Sequence, residues 1–135
     1  MVLNEFCDKG KIEMYRNEVA LILDTIRTKG VKVSPTYNHE TVSSTLWSDK
    51  GVAVRIRIRI KVDFLGLPVI WDLLHEYGHM LDLPLKSGLS NQERLNREER
   101  AWDNARKELY NYPRLLHFVV EFNSYGELCL ATYKV

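Results

Sequence analysis

Cysteine is scarce in this chain. Only Cys7 and Cys129 occur, far apart and with no CxxC. That argues against a disulfide framework and against a thiolate metal site; both read as small apolar residues. Excess charge of one sign is also missing. The formal net charge is +1, so no bulk field draws the molecule to nucleic acid or to a membrane. Long apolar runs are absent too. The longest, "FLGLPVIW" from Phe64 to Trp71, is too short for a bilayer. The start, "MVLNEFCDKGK", lacks the basic stretch and apolar run of a signal peptide. No repeat, low-complexity tract or linker divides the 135 residues. The expectation is one domain over 1–135, cytoplasmic, with neither membrane nor nucleic acid as a partner.

Hydrophobic periodicity then sets the expected elements. Ile12, Tyr15, Val19, Ile22 and Ile26 recur at helical spacing and Gly30 follows, which predicts a helix over about residues 11–28. "VKV" reads as a short strand running into a turn at "SPTY", and "TVSSTLW" as a second strand. "VAVRIRIRIKV", Val52 to Val62, is the clearest strand. Its Val and Ile residues point one way, and Arg55, Arg57, Arg59 and Lys61 the other, onto a solvated outer face. Pro68 suits the first turn of a helix that continues without a breaker until Pro84. Ser90 with Glu93 three later makes a capping box and starts a helix over about 91–110, which Pro113 breaks. The last segment, 114–135, fits either a helix, on the stripe Leu115, Val119, Phe122, Cys129 and Tyr133, or a hairpin around "NSYG"; the helix is favoured. The fold class is α+β, with a short, mostly antiparallel sheet.

One motif carries chemistry. "HEYGH" places His75, Glu76 and His79 in the pattern HExxH. On a helix, residues four apart share a face, so both imidazoles can reach one ion. Glu76 projects to the flank, where it can take a proton from metal-bound water instead of binding the ion. Shuffling a chain of this composition yields HExxH in roughly 1 in 100 cases, so the motif needs a third ligand to mean anything. Six residues after His79, where a third histidine would complete the pattern HExxHxxGxxH, stands Leu85.

A carboxylate from the next helix is the remaining simple option, and "NREERAWDNARKEL" offers Glu98 and Glu99. Leu95, Ala101, Trp102, Ala105 and Leu109 define the apolar stripe of that helix. At about 100° per residue, Glu98 falls near its middle and Glu99 a quarter-turn or more to one side. An acid at the centre of a buried face needs a partner. A metal ion is one such partner; Arg94 or Arg97 is the bland alternative. Glu98 is the preferred ligand and Glu99 the reserve.

"HEYGH" followed by "EERAW" resembles the glutamate-type zincins, the gluzincin metallopeptidases. Within them the chain looks most like the small ImmA/IrrE group. The resemblance spans about residues 50–106. It implies a small zincin-like domain, a Zn²⁺ ion, and His75, His79 and Glu98 as ligands with Glu76 as the catalytic base. Glu98 and Ala101 match an E-x-x-A pattern, but Trp102 follows where a polar residue is usual. Glu99 with Asp103 instead matches the E-x-x-x-D form, so both acids stay open.

The expected function is zinc-dependent hydrolysis of peptide bonds, on a protein or peptide substrate such as a repressor-like regulatory protein. The alternative is a catalytically silent binding or regulatory module with a structural or relict metal site. Asp72, Asp82 and Asp103 are candidates for orienting the ligands. Tyr37, His39, Tyr112 and His117 qualify by type alone as oxyanion stabilisers. Gly78 reads as a close-packing position and Tyr77 as core. An extended peptide could pair with a free sheet edge beside the site; if that edge were the strand 52–62, its arginines would favour acidic substrates.

Overall fold

The computed structural model describes residues 2–38 and 42–134. Its elements run α1 (Val2–Lys9), a 3-10 turn (Glu13–Tyr15), α2 (Arg16–Arg27), β1 (Lys32–Thr36), β2 (Ser44–Trp47), β3 (Ala53–Arg59), a second 3-10 turn (Val62–Phe64), α3 (Leu67–Met80), α4 (Asn91–Leu109), α5 (Pro113–Leu116) and α6 (Val119–Ala131). The class is α+β, with six helices and one small sheet among the described residues.

The sheet is mixed, not mostly antiparallel. Its order is β1-β3-β2, with β1 parallel and β2 antiparallel to β3. β3 is therefore the central strand and has no free edge for a peptide. The edges are β1 and β2.

Alternation makes β3 the centre. Ile56 and Ile58 are fully buried on the face that meets the helices, while Arg57 is exposed. The basic row is only partly the expected solvated face. Arg55 donates to Ser34, and Arg59 turns back to pair with Asp72 at 3.2 Å and lies over the Phe64 ring. The strand also ends sooner than 62: Val62 sits in a 3-10 turn and is exposed.

The expected helix 11–28 is shorter. Lys11 has φ +60°, which no α-helix accommodates, so α1 ends before it and α2 starts at Arg16. The stripe still holds: Ile12, Val19, Ile22 and Ile26 are buried.

α3 sits in the middle of the fold. Val69 to Leu74 and Glu76 to Gly78 are all buried, the pattern of a helix covered on several sides. Pro68 occupies its first turn, and Leu81 caps it well before Pro84. α4 begins at a complete capping box: Ser90 Oγ accepts from the Glu93 N–H and the Glu93 carboxylate accepts from the Ser90 N–H. Such a cap contributes about 1 kcal/mol.

Pro113 does not simply break the chain; it opens the short α5, and the tail is helical. Phe122 on α6 fills the gap beside Trp71 and Trp102, edge-on to both at centroid distances of 5.3 and 5.4 Å. Contacts of this kind add about 0.5–1.5 kcal/mol each beyond area burial. A hairpin would not have presented that one-sided stripe. No helix among the described residues is long and apolar enough to cross a membrane.

Candidate metal centre

His75 and His79 stand one turn apart near the C-terminal end of α3, and their rings lie side by side. α4 crosses directly over them. The approach is set by Gly78: a Cβ there would stand 2.0 Å from the Ala101 carbonyl oxygen. With no side chain in the way, the backbones close in, and Asn104 Nδ2 donates to the Gly78 carbonyl across the contact.

That closeness delivers Glu98. Its Oε2 lies 2.9 Å from His75 Nε2 and 2.8 Å from His79 Nε2. Glu99 is exposed on the far flank. Arg97, the bland partner, points elsewhere: it donates to the Leu83 carbonyl and stacks over Trp47. Among the described residues, His75, His79 and Glu98 form a group whose ligand atoms all fall within 4.8 Å of one another.

The donor set fits a divalent ion. Two neutral imidazole nitrogens and one carboxylate oxygen are the His₂Glu type used by zinc. Metal bonds of about 2.0–2.1 Å at a tetrahedral angle hold ligand atoms about 3.3 Å apart. The two carboxylate–imidazole separations are hydrogen-bond lengths, so the carboxylate would withdraw by roughly half an ångström to share an ion with the rings. Three protein ligands leave a fourth direction, as a hydrolytic site requires.

The electrostatics of the metal-free cluster follow from burial and contact. Burial works against charge on His75, but its bonds to Glu76 and Glu98 outweigh that and push its pKa up to about 9. Burial would raise the Glu98 carboxyl, yet the two imidazoles hold it well below the usual carboxylate range. An ion bound here would take the place of the proton on His75.

Glu76 lies against the sheet. Its Oε1 accepts from Thr45 Oγ1 of β2 at 2.9 Å, and its Oε2 is 3.3 Å from His75 Nδ1. The motif's acid is thus held beside the ligand group by the edge strand β2.

The three aspartates do not orient the imidazoles. Asp72 accepts from Ser43, Arg59 and Tyr125; burial lifts its carboxyl above the ordinary range despite these bonds. Asp82 accepts from Arg100 and the Leu83 N–H. Asp103 pairs with Arg106 on the surface. Nor do the residues chosen by type gather here. Tyr37 bonds Glu5, Tyr112 is buried and raised to about 12 by that burial, His117 packs against Phe118, and His39 lies outside the described residues.

Two neighbours escaped the sequence reading. Trp102 stacks flat on His75, with centroids 4.1 Å apart and planes within 5°. Tyr133 donates its hydroxyl to Glu98 Oε1 at 2.7 Å, and burial together with that bond pushes its own pKa up. The only trace of Tyr133's position in the sequence is its spacing, four residues after Cys129 and eight after Tyr125. Comparison with protein-family models, with curated proteins and with solved structures finds no match to this chain.

Proposed function

We propose that this protein is a zinc-dependent metallopeptidase of the gluzincin type, built on a small zincin-like domain resembling the ImmA/IrrE group. The convergence of both imidazoles on one oxygen of Glu98, with Glu76 beside them, is the single observation that carries the reading. In this reading His75, His79 and Glu98 hold Zn²⁺. The ion, when bound, polarises the scissile carbonyl and lowers the pKa of a water molecule.

The remaining work falls to the chain. Glu76 takes the proton of the attacking water and passes it to the leaving amine. Thr45 holds one Glu76 oxygen, and the other, 3.3 Å from His75 Nδ1, is the one that would take that proton. β2 is a sheet edge beside Glu76, so its free backbone groups can pair with an extended peptide. The substrate is a protein or peptide, and on the resemblance an intracellular regulatory protein of repressor type.

One observation favours a second reading, a catalytically silent binding module with a structural metal site. The ligand side chains are only 13–14% exposed, and Trp102 and Tyr133 cover two of them. Metal analysis of the purified protein and of Glu76→Gln separates the two. As a peptidase, both bind one equivalent of zinc and only the wild type cleaves a mixture of extended reporter peptides. Equal cleavage by both would end the peptidase reading. Zinc bound by both, with function unaltered in Glu76→Gln, would establish the module.

A further inference from the structure

We propose that Tyr133 is a positioning residue that confines Glu98 to one-oxygen ligation. The inference rests on the metal-site reading above.

The carboxylate of Glu98 is divided between two tasks. Oε2 meets His75 and His79 at 2.9 and 2.8 Å, and Oε1 accepts the Tyr133 hydroxyl at 2.7 Å. A carboxylate free at one oxygen can swing to bind an ion through both. That would fill the direction a hydrolytic site must leave open. A hydroxyl seated on Oε1 keeps that oxygen out of the ion's shell.

The hydroxyl has a defined place because α6 is pinned elsewhere. Tyr125, eight residues earlier, donates to Asp72 Oδ1 at 2.7 Å and accepts from Arg59 at 2.7 Å. Phe122 is fully buried between Trp71 and Trp102, and Gly126 lets the helix backbone rest on the Trp102 ring. Beyond Ala131 the chain makes one more turn, with the Tyr133 N–H on the Leu130 carbonyl. So α6 and the turn after it reach both ligand helices through tyrosines: α3 at Asp72, and α4 at Glu98. Only the second touches a ligand.

Cobalt(II) substitution in the full chain tests this. Its visible absorption weakens as the coordination number rises. Affinity is read by competition with a chromophoric chelator. Tyr133→Phe removes one oxygen at a residue 41% exposed, and an unchanged circular dichroism spectrum verifies the fold. The expected result is cobalt affinity lower by about 10–100-fold, the usual cost of removing a group that orients a ligand, with a weaker visible band. Tyr125→Phe removes the same atom eight residues earlier and is expected to keep the wild-type band. A Tyr133→Phe protein with wild-type affinity and spectrum would overturn the inference while leaving the metal site standing. Wild type that takes up no cobalt or zinc would overturn both.

Discussion

Asp72 is a buried acid and Glu98 a half-buried one, and each receives a tyrosine hydroxyl from the C-terminal segment, Tyr125 on α6 and Tyr133 just beyond it. Their other partners differ. Asp72 has Arg59, a cation at every accessible pH, and the Ser43 hydroxyl. Glu98 has two imidazoles, which bind metal ions in their neutral form. An acid closed by arginine and hydroxyls is a finished structural joint. An acid closed by imidazoles can exchange protons for a metal ion. The same helix α3 thus carries a structural cluster at Asp72 and a chemical one a turn later.

The largest effect that sharpens this contrast is on stability at the structural cluster. Asp72→Ala leaves Arg59 unpaired and is expected to cost about 3–5 kcal/mol. Zinc affinity of the folded protein should stay near that of wild type. Urea denaturation with a parallel zinc titration reads both, and lost affinity without lost stability would invert the contrast.

The chemical cluster should respond to pH through His75. The folded-state pKa of His75, about 9, lies above its ordinary 6.5. A raised value means stabilisation that is fully present below about pH 6.5 and lost as the pH climbs through 9. The loss is about 3 kcal/mol in the metal-free protein. Denaturation midpoints in chelator between pH 6 and 9.5 measure it; a flat profile would contradict the charged imidazole.

Saturating zinc should offset most of that loss. At a hundred times the dissociation constant, binding stabilises by about 2.7 kcal/mol. A thermal melt of wild type should move upward accordingly, and one of Glu98→Ala should not move. Gly78→Ala tests the helix crossing itself, since a Cβ there would stand 2.0 Å from the Ala101 carbonyl oxygen. Forcing a Cβ against Ala101 costs about 1–3 kcal/mol and spreads α3 from α4, so zinc affinity falls while the Asp72 cluster keeps its bonds. Retained affinity would mean that the helix crossing is not what sets the site.

Much of this was legible along the chain. HExxH requires a helix, and "PVIWDLLHEYGHM" reads as one. The apolar stripe of the next helix put Glu98 at its centre and Glu99 aside, which is where the two acids lie. Ser90 and Glu93 announced the start of α4. The aspartates misled because spacing places a side chain on a helix face but says nothing of what packs there. Asp72 lies three residues before His75, yet Arg59 from β3 claims it. The sheet was misread for a related reason: alternation marks a strand and its faces, not its neighbours, so nothing local distinguished a central β3 from an edge.

The sequence by itself determined which residues can ligate, which face of each helix they occupy and where α3 and α4 begin, because all three follow from backbone periods and local capping. Only the tertiary structure decided that Glu98 meets both imidazoles, that Arg59 serves Asp72, and that Tyr133 reaches back to Glu98. Those pairings join segments 13 to 35 residues apart, and the crossing of packed helices, not any local preference, brings them within bonding distance.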